Sequence, residues 1–372
     1  MKVAFFIGHH KTGSSALQNY LAANYLGLLR QGILYPAADA PGLAANLAAA
    51  VADREMFGEG PKRGTRLNEE SPHNMLALRL LNEVAGKGVP PWRPDVPPSA
   101  QIFATIQAQI TALAPQTVLM CSEIFSRLAD QGARKVLPLM YRNFGAHECS
   151  ILLNLRRPDL HIASWHLQRM KFREKIRPLR HGAQAAYADT AHFRFDRIVE
   201  RWGDTFPKAQ MRVRNYSDVI GAGGSVPDFF SQSGIDHLPV DTDKQSNISI
   251  PYALAEILRL ANFQSPEFAM TVRSYLFRAM ERISYLPNDQ VELFGQENRT
   301  ALCDAFAPVH AALSKRLGLA GFFPDLDQAR ICNPVPEMRA ARAALAAVRA
   351  DCMVHLKKGP LRGFLTGLKI EE

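Results

Sequence analysis

The residues best suited to chemistry lie near the N-terminus, in the segment Gly8-His-His-Lys-Thr-Gly-Ser-Ser15. This segment follows the apolar run Val3 to Ile7, whose length and composition predict a short buried strand. Apolar residues at helical spacing follow Ser15, so we predict a helix that begins at Ser14 or Ser15 with a serine as its N-cap. A glycine-rich turn between a strand and a helix binds phosphate, because free backbone N–H groups and the helix dipole face the turn.

The order of residues in this loop differs from that of the common nucleotide-phosphate loop, G-x-x-x-x-G-K-[ST]. Gly8 and Gly13 have the required spacing, but Lys11 precedes the second glycine and Ser14 stands where an NTPase has its lysine. A lysine after the glycine reaches the β- and γ-phosphates, and the next hydroxyl holds magnesium. A lysine before the glycine sits lower on the loop, nearer the first phosphate. An ordinary polar turn between a strand and a helix is the alternative interpretation.

The segment His10 to Ser15 resembles the 5′-phosphosulfate loop of the sulfotransferases that use 3′-phosphoadenosine 5′-phosphosulfate (PAPS). A second segment, Arg156 to Ser164, resembles the 3′-phosphate signature of that family: an arginine leaves a strand, and a serine follows eight residues later. Several branches of the family have Arg-Asp-Pro-x-x-Arg-x-x-Ser here. This chain departs from that pattern at Arg157 and His161, so Arg156 and Ser164 carry the resemblance.

The resemblance implies transfer of a sulfuryl group from PAPS to a hydroxyl acceptor, such as a carbohydrate or glycoconjugate, with no metal required. Lys11 would stabilise the charge of the leaving phosphate, and Arg156 would hold the 3′-phosphate through its planar fork of donors. A P-loop kinase or NTPase, and a non-catalytic nucleotide- or polyanion-binding protein, are the alternative functions. The implied PAPS-binding residues are His10, Lys11, Thr12, Gly13, Ser14, Ser15, Arg156 and Ser164.

The acceptor hydroxyl also needs a base. Glu123 follows a third apolar strand, and ligands of open parallel sheets bind beyond the carboxyl ends of the strands. We therefore predict Glu123 as the base, with His10 as the next candidate. The alternative for Glu123 is a carboxylate paired with a nearby arginine. Further options for the base are His9, His73 and His166.

Alternating strands and helices over the first 220 residues predict an α/β, three-layer sandwich with a central parallel sheet of about five strands. After Tyr216 the pattern predicts helices only. We predict one domain over residues 1–372, with an α/β core at 1–220, a helical covering at 221–330, and a C-terminal helix and basic tail at 331–372. The predicted helices of the C-terminal half are Pro251 to Phe263, Pro266 to Ile283, Thr300 to Leu317 and Glu337 to Leu356.

Composition limits the remaining choices. The net charge of +9 and the 47% hydrophobic residues indicate a globular protein that favours anionic ligands. Five scattered cysteines exclude a disulfide framework and a zinc site, and favour a reducing compartment. With no signal-peptide core and no membrane-length apolar run, we expect a cytoplasmic protein. We expect a small-molecule or glycan acceptor and no nucleic-acid partner. Two stretches, Arg169 to Arg180 and Lys357 to Lys369, are rich in basic residues. They would fit an acidic acceptor or peripheral contact with a membrane.

Overall fold

The computed structural model describes residues 1–52, 71–87, 96–133, 135–235 and 249–371. Three segments with a distinctive sequence lie outside this part of the chain: the polar segment at 54–66, most of the segment at 86–99, which holds five prolines and Trp92, and Asn247 with Ile248. The chain divides into two compact units, each assembled from separate segments. Unit 1 is Met1–Arg156, Arg194–Asn247 and Val309–Phe322, and unit 2 is Arg157–Phe193, Ile248–Pro308 and Phe323–Glu372. The single domain stays a prediction.

The core of unit 1 is a five-stranded sheet in the order β2-β3-β1-β4-β5, with every neighbouring pair parallel. This confirms the predicted parallel sheet. The central strands are almost wholly buried, as an all-parallel sheet requires, whereas β5 at the edge is half-buried. The strands are β1 (Lys2–Phe6), β2 (Ile33–Leu34), β3 (Thr117–Cys121), β4 (Glu148–Leu155) and β5 (Gln210–Asn215).

The α-helices of the described residues are numbered in chain order. They are α1 (Ser14–Ala23), α2 (Tyr25–Arg30), α3 (Ala40–Ala52), α4 (Pro72–Val84), α5 (Ser99–Leu113), α6 (Leu137–Phe144), α7 (Pro158–Lys171), α8 (Phe195–Thr205), α9 (Tyr216–Gly221), α10 (Ser225–Ser233), α11 (Tyr252–Asn262), α12 (Pro266–Ala279), α13 (Gln296–Leu317), α14 (Glu337–His355) and α15 (Pro360–Gly367).

Helices cover both faces of the sheet, because neighbouring residues of a strand point to opposite sides. The Phe5 ring lies 5.5 Å from that of Phe144 in α6 and 5.8 Å from that of Trp202 in α8. The next residue, Phe6, packs on the other face, with its ring 5.9 Å from that of Phe229 in α10. The three-layer α/β sandwich is therefore confirmed.

The first helix begins at Ser14, as predicted, but its end and its N-cap differ from expectation. The apolar stripe of Ala22, Tyr25, Leu26 and Leu29 favours one helix through Gln31, whereas α1 ends at Ala23 and α2 begins at Tyr25. Asn24 lies between the two helices: its backbone N–H makes the ordinary helical hydrogen bond to the Tyr20 carbonyl at 2.9 Å, and its side-chain Nδ2 donates to the same carbonyl at 3.0 Å. The N-cap is Gly13 in the left-handed region, with no side-chain cap, rather than a serine.

Unit 2 is mainly helical, as predicted for the C-terminal half, but it contains two short strands that the sequence did not indicate. β6 (Val291–Glu292) pairs in parallel with β7 (Val335–Pro336). Two-residue strands are too short to produce an apolar periodicity. No described helix is long and apolar enough to cross a membrane.

The basic C-terminal segment forms a helix, α15, although it contains proline and glycines, which are the weakest helix formers. Pro360 occupies the first turn, where its missing N–H costs nothing. Leu365 is fully buried, and the Phe364 ring packs edge-on against that of Phe268 at 5.0 Å. Tertiary packing therefore compensates for the weak helix propensity of this segment.

Candidate functional site

The loop between β1 and α1 is an unusually tight turn in unit 1. Gly8, Lys11 and Gly13 all have left-handed backbone angles, with φ of 53°, 66° and 82°. Glycine adopts this region readily, whereas a lysine there costs about 1–3 kcal/mol and concentrates at functional sites. The hydroxyl of Thr12 stabilises the turn, since it donates to the His9 carbonyl at 2.6 Å and accepts from the His9 N–H at 3.2 Å. The Thr12 hydroxyl thus holds the turn, and the contact of Thr12 with PAPS stays a prediction.

Gly13 is required by its surroundings as well as by its φ. The Ser225 hydroxyl, at the start of α10, donates to the Gly13 carbonyl at 2.7 Å. A Cβ placed on Gly13 would lie 2.6 Å from the hydroxyl oxygen of Ser225, a separation that real structures do not tolerate. Gly8 is similarly close to Glu123, whose Cα would lie 3.0 Å from an added Cβ. The loop therefore packs directly against the residue that leaves β3.

The start of α1 offers backbone donors to an anion. Within the described residues, the N–H groups of Thr12, Gly13, Ser14 and Ser15 donate no hydrogen bond to protein. Helix N-termini carry partial positive charge, and this helix has ten residues, so the donors and the dipole act together. This arrangement suits a phosphate or sulfate group.

Positive side chains converge on the same loop. Burial, and then the charge of Arg156, lower the pKa of the Lys11 ammonium. Burial, followed by the charges of His9, Arg127 and Lys11, lowers the pKa of His10 well below 6.5, so His10 is neutral at pH 7. Arg127 and Arg156 make no ion pair with any described residue. A bound anion would relieve the repulsion among these cations.

Arg156, at the carboxyl end of β4, lies beside Tyr216, which follows β5. Its guanidinium carbon is 5.8 Å from the centre of the Tyr216 ring, a cation–π distance. Burial raises the pKa of the Tyr216 phenol, although Arg156 opposes this, so the hydroxyl remains a donor. An added Cβ on Gly13 would lie 3.6 Å from that hydroxyl, which places Tyr216 at the loop. Tyr216 is not among the predicted site residues; its one signal in the sequence is its position directly after the fifth strand.

Ser164, the predicted partner of Arg156, lies in unit 2. It is a buried residue on α7, and Arg156 is the last residue of the first segment of unit 1. On the same helix the buried His161 has its Nε2 3.3 Å from Nδ1 of His192, also in unit 2. The pairing of Arg156 with Ser164 on one phosphate stays a prediction from their spacing.

Glu123 leaves β3 and begins a 3₁₀ helix at Glu123–Ala129. Its half-buried carboxylate accepts hydrogen bonds from Nε2 of Gln18 at 3.0 Å and from Nδ2 of Asn74 at 3.4 Å. Burial raises the pKa of this carboxyl, while Gln18, Asn74 and the Ser14 hydroxyl oppose the rise. The described partners of the Glu123 carboxylate are thus two amides and a hydroxyl, rather than the arginine of the alternative interpretation.

The amides that hold Glu123 belong to a buried polar network. Oδ1 of Asn74 accepts from Nε2 of Gln18 at 3.1 Å and from the Ser122 hydroxyl at 2.5 Å, and Oε1 of Gln18 accepts from the Ser71 hydroxyl at 3.2 Å. A satisfied buried network holds its members in one arrangement. Gln18 and Asn74 are not among the predicted site residues. The sequence signal for Gln18 is its position one helical turn after Ser14, on the same face of α1.

The other three candidate bases, His9, His73 and His166, are buried. Nδ1 of His73 accepts from the Cys121 N–H at 3.0 Å, and burial lowers the pKa of His73 to about 3. In unit 2, Nδ1 of His166 lies 2.7 Å from the Tyr187 hydroxyl, and burial lowers its pKa to about 3 as well. His9, fully buried, packs edge-on against Phe195 with ring centres 5.4 Å apart. In unit 1, Glu123 packs against the loop between β1 and α1, and His9 and His10 belong to that loop.

Among the known proteins compared with this chain, only solved structures gave a match. No family model matches the chain, and no curated protein matches it. Among solved structures, the chain is similar to the crystal structure of a sulfotransferase from Alicyclobacillus acidocaldarius, with 16% sequence identity and a TM-score of 0.43. The match covers 88% of this chain and 98% of that one. A similarity this weak carries no argument about function.

Proposed function

We propose that this protein is a sulfotransferase that moves a sulfuryl group from PAPS to a hydroxyl of a carbohydrate or glycoconjugate. The observation that carries the proposal is the position of Lys11: it precedes Gly13 in a left-handed turn at the start of α1, and the charge of Arg156 acts on it. A kinase or NTPase would need a lysine after Gly13, where this chain has Ser14.

In the proposed reaction, the acceptor oxygen attacks sulfur in line with the bridging oxygen of the phosphosulfate. A new oxygen–sulfur bond forms as the bond from sulfur to the bridging oxygen breaks, and that electron pair stays on the departing phosphate. Lys11 and the N–H groups of Gly13, Ser14 and Ser15 stabilise this developing charge. Because all these groups are held by the fold before substrate arrives, little reorganisation is needed during the reaction.

Glu123 takes the proton of the acceptor hydroxyl. Two amides and the packing against Gly8 hold its carboxylate at the exit of β3, beside the loop. Burial raises the pKa of the Glu123 carboxyl, which makes its carboxylate a stronger base than that of an ordinary glutamate. In this proposal Arg156 and Ser164 bind the 3′-phosphate, a role that rests on the family resemblance.

Thermal unfolding tests the nucleotide specificity first. We expect adenosine 3′,5′-bisphosphate to raise the melting temperature without added metal, because ligand that binds only the folded state stabilises it. A rise with ATP and magnesium alone would favour the kinase or NTPase instead.

Transfer of radiolabelled sulfate from PAPS to a panel of hydroxyl acceptors then tests catalysis. We expect labelled product with at least one carbohydrate acceptor. Binding of the bisphosphate without transfer to any acceptor, including a crude glycan extract, would favour the non-catalytic nucleotide-binding alternative.

A further inference from the structure

A turn that follows α7 in unit 2 exposes a large aromatic side chain. Phe172, the residue directly after the helix, is 58% exposed. The next residue, Arg173, has a φ of 67°, which is uncommon for a residue with a side chain. Single exposed apolar residues are ordinary in proteins, so the surroundings of Phe172 decide whether its exposure has a purpose.

The turn is held from two neighbouring helices. Asn262, at the end of α11, donates from Nδ2 to the carbonyls of Met170 and Glu174 at 2.9 and 3.2 Å. Arg273 of α12 donates to the carbonyl of Lys171 at 2.9 Å. Because three backbone carbonyls around Phe172 are bound by side chains of other helices, its exposure is a built feature of the fold.

Two more exposed apolar side chains lie beside this turn. Phe263 is 49% exposed and Met270 is 44% exposed. Nη1 of Arg173 lies 3.6 Å from Sδ of Met270, and Nζ of Lys175 lies 6.0 Å from the centre of the Phe263 ring. We call these five residues, Phe172, Arg173, Lys175, Phe263 and Met270, the turn patch. Clusters of exposed apolar side chains mark interaction sites.

The turn patch is positively charged. Glu174, the only acidic residue in the turn, is paired with Arg169 at 2.7 Å. Arg173 and Lys175 are exposed, and neither forms an ion pair with a described residue. Two cations therefore flank three exposed apolar side chains.

We propose that the turn patch docks this protein on the surface of an anionic lipid bilayer. Phenylalanine and methionine side chains leave water at the boundary between headgroups and acyl chains, and nearby cations meet the anionic headgroups. An acidic polysaccharide would satisfy the cations, but it offers no apolar phase for Phe172 and Met270. A bilayer provides a partner for the cations and for the apolar side chains of the turn patch. This proposal does not depend on the sulfotransferase function.

Co-sedimentation of the full chain with vesicles tests the proposal. We expect binding to vesicles that mix phosphatidylglycerol with phosphatidylcholine, little binding to phosphatidylcholine alone, and weaker binding as salt increases. Removing one patch cation should lower the partition coefficient about fivefold, and Arg173→Glu with Lys175→Glu should lower it further. The matched control is Lys135→Glu with Lys208→Glu, which makes the same charge change at two exposed lysines outside both basic stretches and should retain more binding.

Phe172→Ser tests the apolar half, with Ile331→Ser as its control because Ile331 is 65% exposed in the same unit. We expect only Phe172→Ser to weaken binding. Phe172→Trp gives a direct reading, since its emission should shift to the blue on anionic vesicles and be quenched by brominated lipid.

Three results would overturn the proposal: no binding to anionic vesicles, no fluorescence change in Phe172→Trp, or equal losses in the patch and control variants. Retention on immobilised heparin that depends on Arg173 and Lys175, with vesicle binding unaffected by them, would assign the patch to an acidic polysaccharide. Circular dichroism of each variant checks that it is folded. If Phe172→Ser does not fold, the fluorescence of Phe172→Trp on anionic vesicles tests the apolar half of the patch.

Discussion

The side-chain amide of Gln18 donates a 3.0 Å hydrogen bond to the carboxylate of Glu123, 105 residues further along the chain. Gln18 belongs to α1, the helix that follows the loop after β1, and Glu123 leaves the adjacent strand β3. One helix therefore presents backbone donors at its first turn and orients a carboxylate from its second. In the proposed reaction, this bond ties the position of the base to that of the leaving phosphate.

We predict that Glu123→Gln lowers turnover by about 10²-fold or more and leaves the affinity for adenosine 3′,5′-bisphosphate within about threefold. The change preserves size and removes basicity. In the wild type, the rate should rise with pH as the carboxyl ionises, at a pKa above the usual 4.5 because burial raises it. That rise should be absent in the variant. A variant that keeps its rate, or keeps a pH-dependent rise, would point to His10 as the base.

We predict that Lys11→Ala abolishes detectable transfer while the melting temperature stays within a few degrees of wild type. Lys11 is half-buried in a loop, so its loss removes charge at the leaving phosphate rather than core packing. Lys208→Ala, at an exposed lysine of the same unit, is the matched control and should retain full activity. Turnover close to wild type in Lys11→Ala would contradict its assigned role.

Arg156→Ala and Ser164→Ala should weaken binding of adenosine 3′,5′-bisphosphate more than binding of adenosine 5′-phosphosulfate, which lacks the 3′-phosphate. For Arg156 we expect a difference of about tenfold to a hundredfold, the value of a charge-assisted contact. Titration calorimetry with both nucleotides measures this difference. Equal losses for the two ligands would show that these residues support the fold or another part of the nucleotide.

Gly13→Ala should destabilise the protein by about 1–3 kcal/mol and abolish binding of the bisphosphate, because φ is 82° and the new Cβ would lie 2.6 Å from the Ser225 hydroxyl. Adding Ser225→Gly should recover part of the stability, since it removes the obstructing side chain. Gly363→Ala is the matched control: its added Cβ meets nothing within 4 Å, and it should be neutral or slightly stabilising. Denaturant titration gives these free energies, and a neutral Gly13→Ala would refute the packing argument.

His73 should make the protein sensitive to acid. Its folded pKa of about 3 lies below the ordinary value of 6.5, so the unfolded chain binds its proton first. Its contribution to stability is thus present above about pH 6.5 and is lost as pH falls toward 3, at up to about 1.4 kcal/mol per pH unit. His73→Asn keeps an acceptor for the Cys121 N–H and should reduce this slope, with little change at pH 7.5. An unchanged slope between pH 6.5 and 4 would show that the His73 ring is not held neutral.

Local sequence was sufficient for the parts of the protein that local physics governs. The apolar run at Val3 to Ile7, the glycines at 8 and 13, and the alternation of strands with helices predicted the parallel sheet and placed the loop at the end of β1. A position that combines a left-handed backbone with close packing can be recognised in the sequence, because only glycine meets both requirements at once. The type and position of Lys11 are likewise visible without a structure.

Only the tertiary structure decided what the polar side chains of the loop do. Thr12 has the same hydroxyl whether it contacts a ligand or the His9 carbonyl, and its hydrogen bond to His9 exists only in the folded turn. Glu123 could have paired with arginine or with amides; the amides came from Gln18 and Asn74, which sequence separates from it by 105 and 49 residues. Arg127 and Tyr216 reach the loop because β3 and β5 end at the same edge of the sheet. Contacts over such separations depend on how the whole chain packs, so no local pattern encodes them.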